Sequence, residues 1–346
     1  IAAAGAVIAF VCAASVIVWT QAAGGINPAA AEAAITPLRS LRILSHDLGS
    51  GDLFQNWPET LGAGAWAVLV WAAWLYGVFS VGTVLGRLLD TQHLPPPARI
   101  AVCYALGALS VGLLILCLGL LGLFSHKILA GLTGVLLLEG LIGWRHVVPA
   151  LADFPSPLQR PLRSAPGMNI AGVLLLAVFA CVFLYALTPP IQSDAMRYHL
   201  ATPQEFLKAG RIHYLPLNAF SNFPLLLQMH YGVALALGAP AAAQLMHFAT
   251  MIACLLMTHG LVLAVVAPLA ADDQRAVRLA AGLSALLYVA APASIIVGAW
   301  PFNDHAVALF VMGTVLMTLE AARRPARPAF ILTGLMMGLS LIHISE

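Results

Sequence analysis

Residues 100–124 read IAVCYALGALSVGLLILCLGLLGLF and contain no charged side chain. About 20 consecutive apolar residues are enough for an α-helix to cross the hydrocarbon core of a bilayer. This stretch therefore predicts a membrane-spanning helix. Similar stretches recur along the chain, and the predicted spans are 1–22, 62–86, 100–124, 128–144, 170–188, 242–267, 279–299, 305–322 and 330–344.

The composition predicts the same class of fold. The 346 residues are 61% hydrophobic and 9% charged, whereas soluble domains are about 45–50% apolar and about 25% charged. So little charge cannot cover the surface of a water-soluble globule. We therefore expect an all-α, polytopic transmembrane helical bundle. The net charge of only +2 also argues against a nucleic-acid partner, which requires a basic face.

The two ends of the sequence suggest a longer protein. The first residue, Ile1, is not methionine and lies inside an apolar stretch, and the chain stops soon after another such stretch. We therefore expect a fragment that lacks N- and C-terminal regions. The closing residues Leu341–Glu346 break the preceding pattern, which leaves open whether they are native.

The basic residues predict how the helices are oriented. Cytoplasmic connections of membrane proteins carry an excess of Lys and Arg. The basic connections here are 87–99, 145–163, 275–278 and 323–327. All of them are cytoplasmic only if the short apolar segment 224–238 does not cross the membrane. We therefore expect this segment to be a juxtamembrane helix within a long extracytoplasmic loop, residues 189–241, and loops above about 15 residues tend to be functional.

The outer loop carries signals for two helices. One helix is predicted to start near Asp194, and on it Asp194, Arg197 and Tyr198 share a face because they are three and four residues apart. Residues Thr202–Glu205 read TPQE, which predicts a capping box at the start of a second helix. Gly210 is a typical residue for ending that helix.

Asp194 has two interpretations. It can be an acidic residue in the first turn of a helix, where the helix dipole favours negative charge. It can also be a carboxylate at the lip of a membrane cavity that takes a proton from a hydroxyl group, while nearby donors stabilise a departing phosphate. The candidate substrate-binding residues follow it in the loop: Arg197, Tyr198, His199, Lys208, Arg211 and His213.

A second carboxylate is predicted on the same side of the membrane. Asp304 lies in the short connection that begins at Trp300. Either Asp304 or Asn303 can cap the start of the next helix. Asp304 can also act with Asp194 as a second catalytic carboxylate, and the two roles are compatible.

The order of these motifs resembles that of a known family. The motifs are SDAMRYHL at 193–200, Pro203, KAGRI at 208–212, NAFSNFP at 218–224, AAAQLMH at 241–247 and finally Asp304. Over roughly residues 170–340 they resemble the membrane glycosyltransferases of the GT-C class, especially the bacterial family 39-like group, which uses polyprenyl-phosphate sugars.

The resemblance implies an inverting transfer of a sugar from a polyprenyl-phosphate donor to an acceptor hydroxyl. The reaction would take place on the extracytoplasmic side of a bacterial-type plasma (inner) membrane, with Asp194 as catalytic base and Asp304 positioning the acceptor or a cation. The acceptor would be a glycan, a lipid or a protein. No cofactor is certain, and a divalent cation stays open. Residues 1–144 would be accessory transmembrane helices, and 145–346 would be a catalytic core that is incomplete at its C-terminus.

Two other classes of function stay open. A secondary transporter would place polar residues at the bilayer midplane and use broken helices in paired halves, whereas the charges here gather in outer loops. A non-catalytic membrane scaffold is the other alternative. Glu139 is a functional candidate, because a carboxylate inside a span is costly, although it could reach the interface. His247 and His259 lack the neighbours of a metal site, so we expect helix-packing hydrogen bonds from them.

Overall fold

The computed structural model describes residues 57–143, 166–222, 225–270 and 272–344, and in these ranges it contains helices and no strand. The all-α prediction is confirmed. The predicted span 1–22 lies outside the described residues. The α-helices are α1 Trp57–Leu88, α2 Pro96–Leu120, α3 His126–Ile142, α4 Pro166–Ala186, α5 Ala201–Ala209, α6 Leu226–Ala236, α7 Pro240–Val266, α8 Gln274–Ala290, α9 Pro292–Gly298, α10 Asp304–Arg323 and α11 Arg327–Ile344.

Within the described ranges, four stretches of helix are long and apolar enough to cross a membrane: Leu61–Leu88 within α1, Pro96–Leu120, Pro240–Val266 and Asp304–Arg323. The chain is therefore an integral membrane protein. α8 and α9 meet the same criteria only as a pair, which is bent by 64°. Helices also form at the predicted spans 128–144, 170–188 and 330–344, and their crossing of the membrane stays a prediction.

The predicted span 279–299 is broken rather than straight. α8 ends at Ala290 and α9 starts with Pro292. Proline has no backbone N–H, and it disfavours the helical conformation of the residue before it. Ala291 accordingly has extended backbone angles, with φ −64° and ψ 123°. The proline thus turns one apolar stretch into two helices.

The described helices from Trp66 onward belong to one compact unit, and α2 is its most buried span. α1 and α2 cross at two glycines. A Cβ atom at Gly82 would overlap the carbonyl oxygen of Cys103, and one at Gly107 would overlap that of Val78. Small residues at such crossings let two backbones approach closely. The accessory role of residues 1–144 remains a prediction.

α6 lies inside this unit. Its eleven residues make a helix of about 16 Å, which is too short to cross a bilayer. His230 is fully buried and accepts a hydrogen bond from Trp74 Nε1 on α1 (3.1 Å), while its Nε2 lies 2.8 Å from the carbonyl oxygen of Ala108 on α2. His230 therefore links α6 to both α1 and α2.

Three of the four basic connections meet at one end of the unit. His93, between α1 and α2, lies 3.4 Å from Glu320 near the end of α10. Arg323 donates to the carbonyl oxygen of Ala264 near the end of α7 (2.8 Å), and Arg275 follows that helix. The fourth connection, 145–163, lies outside the described residues. Asp304 begins α10, so it lies at the other end of that helix.

Candidate functional site

The segment that carries Asp194 is wound more widely than an α-helix. Residues Ala195–His199 form a π-helical turn, in which Leu200 N–H donates to the Ala195 carbonyl (2.9 Å). Such turns occur frequently at functional sites. Along it, Arg197 is exposed, Tyr198 is half-buried and His199 is buried. The prediction of a regular α-helix from Asp194 onward is therefore wrong, because a π-helical turn forms there.

The predicted capping box is also wrong. α5 begins at Ala201, directly after the π-helical turn, and no side chain caps it. Thr202 is thus inside the first turn, and its buried hydroxyl has no hydrogen-bond partner in the described part of the chain. Glu205 instead pairs with Lys208 at 2.6 Å. The predicted helix stop is confirmed, since Gly210 has a φ of +71°, which favours glycine.

The fold brings the two candidate carboxylates near each other. Asp194 is half-buried at the start of the π-helical turn, and Asp304 is exposed as the first residue of α10. The ring of His199, five residues after Asp194, lies 5.0 Å from the ring of Phe302, two residues before Asp304. Asn303, rather than Asp304, holds the capping position of α10, and it makes no side-chain capping bond there. Because the two carboxylates come from different connections of the chain, helix packing places them together.

Contacts between aromatic rings connect the segments that carry these carboxylates. The ring of His199 lies 4.0 Å from Tyr198 and 5.0 Å from Phe302, measured between centroids. Tyr198 stacks in turn on Phe220 (5.0 Å), and Phe302 lies 5.2 Å from Trp300. These rings form a row that fixes the outer loop against the connection that precedes α10.

His199 is held as a neutral hydrogen-bonding residue. Its Nδ1 lies 2.6 Å from Nε2 of Gln228 on α6. Burial lowers the pKa of His199 to about 3, because a low-dielectric surrounding disfavours the charged imidazolium. The ring is therefore uncharged near neutral pH, and it cannot serve as a cation toward a phosphate. The low pKa also makes His199 a weak base, so Asp194 stays the candidate base of this loop.

Two buried histidines beside this site were not among the predicted site residues. His247 on α7 lies 3.0 Å from the carbonyl oxygen of Val297, and its Nε2 accepts a 3.4 Å hydrogen bond from His305 N–H. The His305 ring lies 2.7 Å from the Tyr288 hydroxyl and 3.2 Å from the carbonyl oxygen of Ser294. The two imidazoles thus tie the bent α8–α9 pair to the first turn of α10, next to Asp304.

The predicted packing role of His247 is confirmed by these bonds. Since each partner is a backbone or hydroxyl group on another helix, sequence spacing alone could not reveal them. Within the described ranges, no group of three or more His, Cys, Asp and Glu residues could hold a metal ion. Glu139 is half-buried on α3, and its functional role stays a prediction.

The remaining loop residues lie beside the turn between α2 and α3. Lys208 pairs with Glu205, and the His213 ring lies 3.3 Å from the carbonyl oxygen of Arg211. Ile212 N–H donates to the carbonyl of Gly119 at the end of α2 (2.9 Å). The candidate binding residues therefore divide into two groups: Arg197, Tyr198 and His199 in the turn after Asp194, and Lys208, Arg211 and His213 near the α2–α3 turn.

The arrangement can support proton transfer at the mouth of a membrane bundle. A half-buried carboxylate can accept a proton from a bound hydroxyl, and an exposed one beside it can bind further hydroxyl groups or a cation. Comparisons of the chain with protein-family models, with curated proteins and with solved structures find no match. Its function is therefore inferred from the residues and their geometry.

Proposed function

We propose that the protein is an integral membrane glycosyltransferase that moves a sugar from a polyprenyl-phosphate donor to an acceptor hydroxyl, with inversion. The observation that carries this proposal is the packing of the segment that follows Asp194 against the connection that precedes Asp304, at one end of a membrane bundle. A lipid-linked donor can reach such a place from the bilayer, and a polar acceptor can reach it from water.

In the proposed mechanism Asp194 acts as the general base. It takes the proton of the acceptor hydroxyl as the oxygen attacks the anomeric carbon of the sugar. The bond between that carbon and the phosphate oxygen breaks, and the lipid phosphate leaves with the electron pair. Attack opposite to the leaving group inverts the anomeric centre. Asp304 would position the acceptor or a divalent cation beside the base.

One of the exposed cations of the loop, Arg197, Lys208 or Arg211, would stabilise the leaving phosphate. Arg197 lies in the turn after Asp194, while Lys208 and Arg211 lie farther along, toward the α2–α3 turn. Charged donors form short and strong hydrogen bonds with phosphate oxygens. Tyr198 and His213 would bind the uncharged parts of the substrates, since aromatic rings present apolar faces. His199 is buried and bonded to Gln228, so it would hold Tyr198 in place instead of touching the substrate.

The basic connections support an extracytoplasmic position of the site, because Lys and Arg are in excess on the cytoplasmic side. Cysteines introduced separately at Ala209 and Ala326, which are both exposed, should therefore react with an impermeant maleimide from opposite sides of the membrane. The measurement is labelling of intact and of opened cells. Labelling of both positions from the same side would overturn the proposed orientation.

The proposed activity can be measured directly. Membranes that contain the full-length protein should transfer radiolabelled sugar from a polyprenyl-phosphate donor to an acceptor fraction, and membranes without it should not. A panel of lipid-linked sugars is needed because the sugar and the acceptor are unidentified. Absence of transfer across the panel, from protein that is correctly inserted, would count against the enzyme and favour a scaffold or a transporter.

Secondary transport is the second candidate, and one observation favours it. The bent pair α8–α9 packs beside two buried histidines, His247 and His305, and broken helices beside buried polar residues are typical of transporters. Substrate flux into sealed vesicles would support this function. Sugar transfer without flux would support the enzyme.

A further inference from the structure

The turn between α2 and α3 exposes large apolar side chains. Leu120 is 64% exposed, Leu121 75% and Leu123 39%. This turn ends a helix that is long enough to span the bilayer. Leucines at the end of a span avoid the cost of exposure to water if they remain at the level of the lipid. We therefore expect the turn to lie at one boundary of the membrane.

Part of the outer loop is fixed to this turn. Phe124 N–H donates to the carbonyl of Gly210 (3.0 Å), and Ile212 N–H donates to the carbonyl of Gly119 (2.9 Å). The rings of Phe124 and Phe206 also pack edge to face at 6.0 Å. Gly210 and Ile212 are consequently held at this turn, and Tyr214 and Leu217 follow Ile212 by two and five residues.

Two apolar side chains of this loop point away from the protein. Tyr214 is 68% exposed and Leu217 is 101% exposed. Contiguous exposed apolar side chains often mark an interaction site. Tyrosine is also enriched where membrane meets water, because its ring is apolar and its hydroxyl is polar.

Cations accompany these side chains. Arg211 and Lys127 are exposed. Arg211 lies between Gly210 and Ile212, which bind the turn, and Lys127 follows Phe124 by three residues. The stretches 117–128 and 209–217 contain no Asp or Glu. Apolar groups flanked by positive charge are the combination that binds the interface of an anionic bilayer.

We propose that this surface, formed by Leu121, Tyr214, Leu217, Lys127 and Arg211, inserts into the headgroup layer of the surrounding membrane and binds anionic phospholipid. We call it the interfacial surface. Its occupant is the bilayer, because the turn at its base ends a spanning helix and because its charge complements lipid phosphates. The proposal does not depend on the glycosyltransferase activity.

Photo-crosslinking tests the insertion. The chain with benzoylphenylalanine in place of Leu217 is purified in nanodiscs of phosphatidylcholine and phosphatidylglycerol, irradiated and analysed by mass spectrometry. We expect adducts with phospholipid acyl chains. The matched control places the same probe at Gln204, which is exposed on α5, and should give no lipid adduct.

The outcomes separate the alternatives. Adducts at position 217 only within the chain or with a second copy would overturn the lipid assignment, and a repeat with the probe at Tyr214 guards against a misfolded variant. Phosphatidylglycerol should be enriched in the adducts above its share of the nanodisc. Combining Lys127→Gln with Arg211→Gln should remove that enrichment. Enrichment that survives both substitutions, or that never occurs, would overturn the assignment of anionic lipid to these cations.

Discussion

Replacement of Asp194 by asparagine should lower the rate of sugar transfer by about 10²–10⁴-fold, the contribution typical of a positioned general base. Asparagine has nearly the same shape, but it cannot accept the proton of the acceptor hydroxyl. Asp194 makes no side-chain capping bond to the π-helical turn that follows it, so the fold does not rely on its carboxylate there. The variant should therefore stay folded and inserted.

The matched control is Glu205→Gln. Glu205 is also an outer-loop carboxylate, but it is exposed and paired with Lys208, and surface pairs of this kind contribute about 0–1 kcal/mol. Its transfer rate should stay near that of the wild type. The measurement is initial transfer rate per inserted protein, with thermal unfolding as a check on the fold. Normal transfer by the asparagine variant would exclude Asp194 as the base.

The sequence was sufficient to predict the helical class and to select two carboxylates that the fold brings near each other. Long apolar stretches force a helix in a membrane, since every backbone polar group must be bonded internally. The scarcity of charge then makes each carboxylate in a connection conspicuous. For this reason Asp194 and Asp304 could be chosen from the sequence, and the topology argument predicted that they lie on the same side of the membrane.

Features that depend on winding or on packing could not be predicted. The π-helical turn at Ala195–His199 has no visible signal in the sequence, and it leads directly into α5 without the expected cap. The bonds of His247 and His305 join several helices, so they depend on how those helices pack. The break before Pro292 did have a local signal, and a proline inside a predicted span is enough to expect one.

The crossing of α1 and α2 should be very sensitive to added volume. At Gly107 a Cβ atom would overlap the carbonyl oxygen of Val78, which belongs to the backbone and cannot rotate away as a flexible side chain can. Gly107→Ala should therefore destabilise the protein by about 1–3 kcal/mol or more, the usual cost of overpacking. Thermal unfolding in detergent, together with the amount of inserted protein, measures this effect.

Gly131→Ala on α3 is the matched control, because no atom lies within 4 Å of the added Cβ. Alanine is a better helix former than glycine by about 1 kcal/mol, so this variant should be as stable as the wild type or more stable. Replacement of glycine by alanine should thus lower the stability at position 107 and preserve or raise it at position 131. If both variants were stabilised, the close crossing would be wrong. α2 also carries the Ala108 carbonyl that binds His230 of α6. A wrong position of α2 would therefore also put the described packing of α6 in error.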